Sequence, residues 1–163
     1  MFKSKALEPR IERKEPFQVI GRTGFLSSAG NLGSEIGAMW SDWGGDAGIS
    51  EKVHDKYSSD KSGYYMDVDI SAPTAEDPTR SSYTIGCKYN GAANEDGYGI
   101  VTVPGGKYAI FPIPRKHAKD HGDFRGQALD YLAKAGHELA GAEVGNFGHK
   151  WDKNWEIWFM IKE

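Results

Sequence analysis

Alternation and helical periodicity divide the chain into two successions of the same kind. Phe17 to Phe25 mixes β-branched and aromatic residues behind Pro16 and predicts a strand. Leu32, Ile36, Met39, Trp40 and Trp43 recur at helical spacing, with Asn31 or Ser34 available as a cap and Gly44-Gly45 as a stop. A shorter helical pattern, Ile49, Val53 and Tyr57, follows it. Tyr64 to Ile70 alternates strictly, with Asp67 and Asp69 on its outer face, and Tyr83 to Tyr89 alternates again. Beyond the turn formers of Gly91 to Gly99, Ile100 to Val103 and Lys107 to Ile113 predict strands. Asp123 precedes a helix whose inner face is Phe124, Ala128, Tyr131, Leu132 and Ala135, closed by Gly136. Ala142 to Gly148 and Trp155 to Lys162 then predict a hairpin. Each half thus reads strand, helix, strand, strand.

The repeat is one of pattern and not of residues. It predicts an α+β protein of two strand-helix-strand-strand modules in pseudo-twofold arrangement, about 1–91 and about 98–163. Their antiparallel sheets carry the helices on one face, and a cleft between the halves is the natural place for a ligand.

The last strand carries the most chemistry. Trp155, Ile157, Phe159 and Ile161 share one side, a core face, and Glu156, Trp158, Met160 and Lys162 share the other. An acid beside an indole suits a flat or cationic organic molecule, because the carboxylate supplies charge and the ring face attracts cations and planar groups. A solvated glutamate on an amphipathic strand explains the same pattern, and both readings stand at this point.

Composition narrows the function classes. The 163 residues hold 39% hydrophobic and 26% charged side chains, the make-up of a folded globular chain. A net charge of −3 and the lack of a basic patch argue against nucleic acid as a partner. One cysteine, Cys87, excludes an internal disulfide and suits a reducing compartment. The charged start lacks an apolar signal region, and no apolar run approaches a membrane span, so a cytoplasmic protein is expected. Five tryptophans and eight tyrosines are the excess that remains to be explained.

Catalytic signatures are missing. There is no G-x-S-x-G, no H-E-x-x-H and no phosphate-binding loop, since Gly105-Gly106-Lys107 runs into Tyr108 and reads as a turn. His117 and His121 stand four apart without a third ligand, and Cys87 reads as a small buried hydrophobe. No catalytic residue, metal or cofactor is therefore assigned. Trp40, Trp43, Tyr64, Tyr65, Tyr83, Tyr89, Phe111, Phe147 and Trp158 are the aromatic residues available to wall a ligand groove, with Glu156 as the acid.

Four segments in order resemble the GyrI-like family of small-molecule effector-binding domains, which is also attached to AraC-type and MerR-type regulators. They are Glu8-Pro9-Arg10 with Phe17 to Gly21, Tyr83 to Gly86, Val103 to Phe111, and Trp155 to Lys162. Met160 stands where that family usually has proline. The resemblance implies paired modules whose cleft binds hydrophobic, often cationic compounds through aromatic rings and glutamates, in a member lacking a DNA-binding unit. The family's glutamate in the strand before the last turn is missing from Gly145 to Trp151. Glu143 is out of step with it, so either Glu156 supplies the charge or neutral aromatics are preferred. Small ester hydrolysis by a pocket glutamate and tyrosine, and inhibition of a protein partner such as DNA gyrase, are the other activities this likeness brings.

Overall fold

The computed structural model describes residues 8–26, 32–45, 48–59, 67–73, 81–114, 121–147 and 154–163. In chain order the elements are β1 (Arg10–Lys14), β2 (Phe17–Leu26), α1 (Leu32–Gly44), α2 (Ile49–Tyr57), β3 (Asp67–Pro73), β4 (Ser81–Lys88), β5 (Gly99–Val103), β6 (Gly106–Pro114), α3 (His121–Lys134), β7 (Leu139–Phe147) and β8 (Asn154–Ile161). All strand pairs are antiparallel, and the order across the sheet is β1-β6-β8-β7-β3-β4-β2-β5.

This order is two four-stranded halves joined where β3 pairs with β7. The predicted strand-helix-strand-strand units supply β2, β4 and β3 on one side and β6, β8 and β7 on the other. The outer strand of each half comes from the opposite part of the chain. β1 leads into β2 but pairs with β6, and β5 leads into β6 but pairs with β2. Only Glu15 and Pro16 separate β1 from β2, and only Pro104 and Gly105 separate β5 from β6. Strands at opposite ends of the sheet are therefore tied together by the shortest of connections, which a flat sheet cannot accommodate.

The two connections touch. A Cβ on Gly105 would lie 2.7 Å from Pro16 Cδ, so this glycine is needed for room. Gly106 beside it takes φ +153°, consistent with the expected Gly-Gly turn.

Curvature of the sheet follows. β2 and β8 are four strands apart, roughly 19 Å along a flat sheet. Yet the rings of Phe17 and Trp158 lie edge to face with centroids 6.2 Å apart. The sheet has folded back on itself, and Val19, Val103, Tyr108, Ile110, Ala142, Val144 and Trp158 form one buried cluster inside the bend.

The helices cover the outside. α1 and α2 pack Trp43, Ile49, Val53 and Tyr57 on Ile20, Tyr83, Ile85 and Cys87 of β2 and β4. α3 packs Phe124, Ala128 and Leu132 on Phe111, Ile157, Phe159 and Ile161 of β6 and β8. Register shows that these are one continuous face. Ile85 stands opposite Asp69, Asp69 opposite Gly145, Gly145 opposite Ile157, and Ile157 opposite Phe111. Residues directly opposite in an antiparallel ladder share a face. Thus the helices do share one face, as the sequence pattern predicts, and among the described residues the concave face is left to side chains of the sheet alone.

β1 is the element that periodicity does not reveal. Arg-Ile-Glu-Arg-Lys holds a single apolar residue, and charge is how natural proteins keep an edge strand from pairing further.

Glycines at the first half's centre set a stability prediction. Gly21 and Gly86 stand opposite each other, and a Cβ on either would fall far inside contact distance of a backbone carbonyl, of Ile85 or of Ile20. Gly86→Ala is expected to destabilise by about 1–3 kcal/mol, the usual cost of overpacking. Gly37, exposed on α1 with open space around its Cα, provides the contrast: Gly37→Ala should stabilise by about 0.5–1 kcal/mol. Denaturant midpoints of the two variants moving in the same direction would contradict this placement.

Candidate functional site

The concave face is read most directly along two rows of the sheet. One row runs Arg10, Ile110, Trp158, Val144, Ile70, Thr84 and Thr23. The next runs Pro112, Glu156, Asn146, Val68, Gly86, Gly21 and Gly99. The second half thus brings an acid, an amide and an indole to this face, and the first half brings threonines and a floor of glycines.

Trp158 is the centre of the aromatic group. It is nearly buried, with Tyr108 and Phe17 against it edge-on at 5.8 and 6.2 Å between centroids. Its indole N–H donates to Glu156 Oε1 at 3.0 Å. Alternation along β8 therefore places Glu156 and Trp158 together, on the face opposite Ile157, Phe159 and Ile161.

Glu156 is not an unpaired acid. Its other oxygen, Oε2, accepts from the Arg10 guanidinium at 2.7 Å, and its side chain keeps 21% exposure. Arg10 also holds Glu12 at 2.8 Å, and Lys14 holds Glu12 at 2.9 Å. Burial works against the charge on Arg10, but the hydrogen bonds it donates to Glu156 and Glu12 outweigh it and raise its pKa. Glu12 is lowered, by Lys14 first and Arg10 second.

Lysines of the chain already stand over aromatic rings here. Lys14 Nζ is 4.9 Å from the centre of the Trp158 ring, and Lys88 Nζ is 4.6 Å from that of Phe17. Both distances are within cation–π range.

The other aromatic residues proposed for the groove lie elsewhere. Trp43 and Tyr83 are buried in the core between the first two helices and the sheet, with Trp40 and Tyr89 packed against them. Trp40 donates its indole N–H to the Tyr83 hydroxyl at 3.0 Å. Phe111 is buried under α3 with Phe159 and Tyr131 around it. These five do not share the face of Glu156 and Trp158. The cause is the sheet's single helix-covered side: aromatic residues at β4 and β6 positions in step with Ile85 and Ile157 must meet helices. Tyr64, Tyr65 and His117 lie outside the described residues, and Phe147 is placed only as the end of β7, opposite Asp67.

Glu143 is out of step with the concave face. It stands opposite Phe159 and accepts hydrogen bonds from Arg125 Nε and Nη2, each at 2.8 Å, tying α3 to β7. Opposite Glu156 the preceding strand has Asn146.

Residues that sequence reasoning overlooked are Arg10, Glu12, Lys14, Phe17, Lys88 and Tyr108. Phe17 and Tyr108 were visible as strand aromatics. The charged residues of β1 gave no such signal.

An open hollow of about 540 Å³ lies at the first-half end of the two rows, lined by Gly21, Arg22, Thr23 and the segment Asp96 to Gly99. Asp96 is held there by the Tyr57 hydroxyl and Lys56, which lower its pKa. Among the described residues no group of three or more His, Cys, Asp or Glu side chains could hold a metal, and no helix is long and apolar enough to cross a membrane.

Known proteins resemble the chain at the level of family and fold. Residues 10–157 match the sequence model of Cass2, described as an integron-associated effector binding protein. The solved structure of SAV2435 bound to tetraphenylphosphonium superimposes with a TM-score of 0.76 at 16% identity, covering 95% of this chain and 94% of that one. A putative transcription regulation protein from Staphylococcus aureus gives 0.75 at 16% identity, covering 96% and 99%. An integron cassette protein from the mobile metagenome of Vibrio cholerae gives 0.66 at 15%, covering 94% and 95%. No curated protein matches in sequence.

Proposed function

Since the chain belongs to the Cass2 family of integron-associated effector binding proteins, within the GyrI-like group, we propose that its small-molecule ligand is a hydrophobic organic compound with aromatic surface, bound on the concave face between the halves. The observation that carries this reading is Trp158. Its indole is the one tryptophan side chain that the described residues place on the face left uncovered by helices, beside the partly buried Glu156 and the half-exposed Arg10. Affinity would come chiefly from removing apolar ligand surface from water against Trp158 and Phe17.

A second reading, an organic cation, is supported by the ligand of SAV2435, tetraphenylphosphonium. In this chain such a cation has to compete with Arg10 for Glu156 and with Lys14 for the Trp158 ring.

Binding is preferred to hydrolysis as the activity. Both oxygens of Glu156 already accept a hydrogen bond, from the Trp158 N–H and the Arg10 guanidinium, so a water to be activated has to compete with those donors for the carboxylate. We also place the protein in the cytoplasm, where its one cysteine, buried Cys87, stays reduced, and assign it no direct contact with nucleic acid at net charge −3.

Calorimetric titration with tetraphenylphosphonium and with uncharged triphenylphosphine oxide tests the site. Trp158→Phe is expected to weaken whichever probe binds by about tenfold, through loss of the larger ring face. Trp40→Phe, on the helix side, should leave affinity within about twofold. Equal losses in the two variants would remove the ligand from the concave face.

A further inference from the structure

We propose that Arg10 determines the charge specificity of the concave face, so that the protein as built selects an uncharged aromatic ligand and gains the ability to favour an organic cation only when Arg10 is absent. The inference rests on the reading of this face as the ligand site and concerns how that site treats charge.

Three observations meet at this residue. Arg10 sits 2.7 Å from Glu156 and stands in the same sheet row as Trp158, so it occupies the position from which a ligand cation would meet both the carboxylate and the ring. Glu12, the other acid on this stretch, is already shared between Arg10 and Lys14, so no uncommitted carboxylate stands beside Trp158 among the described residues. Lys14 over Trp158 and Lys88 over Phe17 place fixed positive charge on the two rings a ligand would use. A cation approaching these rings meets like charge, and displacing Arg10 from Glu156 exchanges one cation–carboxylate pair for another with little net gain. An uncharged ring system loses nothing to that exchange.

The arrangement comes from topology. β1 is swapped across the molecule, and its alternation sends Arg10, Glu12 and Lys14 to one face, opposite Ile110, Tyr108 and Gly106. Arg10 is 47% exposed, so its removal costs the fold little and its charge can be tested by itself.

Titrations with tetraphenylphosphonium and triphenylphosphine oxide distinguish the outcomes. The wild-type protein is expected to bind the neutral probe at least as tightly as the cation. Arg10→Ala should tighten tetraphenylphosphonium binding by about tenfold, as a carboxylate near the ring is released, and leave the neutral probe within about twofold. Arg10→Lys, which keeps the charge, should stay near wild type. Adding Glu156→Gln to Arg10→Ala should abolish the gain. A wild-type preference for the cation, or an Arg10→Ala variant with unchanged cation affinity, overturns the assignment of specificity while leaving the ligand site in place. Failure of both probes to bind wild type and variants alike overturns the site itself and this inference with it.

Discussion

Replacing Trp158 with alanine is expected to remove about 3–5 kcal/mol of stability, the range for large aromatic residues deleted from a packed interior. Whole-domain stability is about 5–15 kcal/mol, so the variant would be close to unfolding at moderate temperature. The size of the effect comes from position. Trp158 lies in the buried cluster inside the bend, with Phe17 of β2 on one side and Tyr108 of β6 on another. β2 and β8 are separated by three strands along the sheet, so the ring stabilises the fold-back itself and not merely one strand pair. Truncation would also leave Glu156 without the indole donor and Lys14 without its ring. Denaturant unfolding measures the loss directly, and Trp158→Phe should cost less than half as much because a ring still fills most of the space. A loss below about 1 kcal/mol for Trp158→Ala would mean that the two halves are not packed through this residue.

The same residue shows how far the sequence could be read. Alternation in β8 assigned each of its side chains to a face without any partner being known, because the period of a strand is fixed by backbone geometry. Ile157, Phe159 and Ile161 do go to the helix side and Trp158 to the concave side. The repeated strand-helix-strand-strand order was legible for a similar reason, since both periods are local. What alternation cannot state is which of two faces meets helices. In β4 and the residue after it the aromatic set, Tyr83 and Tyr89 with Ile85 and Cys87, met α1 and α2, so that Thr84 and Gly86 were left to the concave side.

The exchange of β1 and β5 between halves was beyond local reading altogether. It depends on pairing between residues about a hundred positions apart, such as Arg10 with Ile110. Nothing in Arg10 to Lys14 announces a strand, because an exposed edge needs charge more than apolar alternation. That single unread element carries the partner of Glu156. Hence the acid on β8 was recognised from sequence and its neutralisation by Arg10 was not.

Raising the pH should unfold the protein through the residue next to Trp158. Tyr108 is fully buried, and burial pushes its pKa up to about 12 from a usual value near 10. Its hydroxyl donates to the Pro104 carbonyl at 2.6 Å, in the short connection that joins β5 to β6. In the folded protein the neutral phenol is favoured, so the unfolded chain gives up this proton first. The contribution of Tyr108 is therefore complete below about pH 10 and is lost between about pH 10 and pH 12. Two pH units of difference correspond to about 3 kcal/mol of lost stability by the upper end of that window. Tyr57 is raised as well, by burial first and then by its bond to Asp96, so it adds a separate share of the alkaline decline. Tyr108→Phe should start about 1 kcal/mol less stable near pH 8, for want of one hydrogen bond, and then decline less steeply than wild type. The two stability curves should approach or cross before pH 12, because phenylalanine has no proton to lose. Denaturant midpoints collected from pH 8 to pH 12 decide the point, and parallel curves for the two proteins would show that Tyr108 does not ionise on unfolding. Such an outcome would also count against the buried contact between Tyr108 and Trp158, since burial of this phenol is the physical origin of the shift.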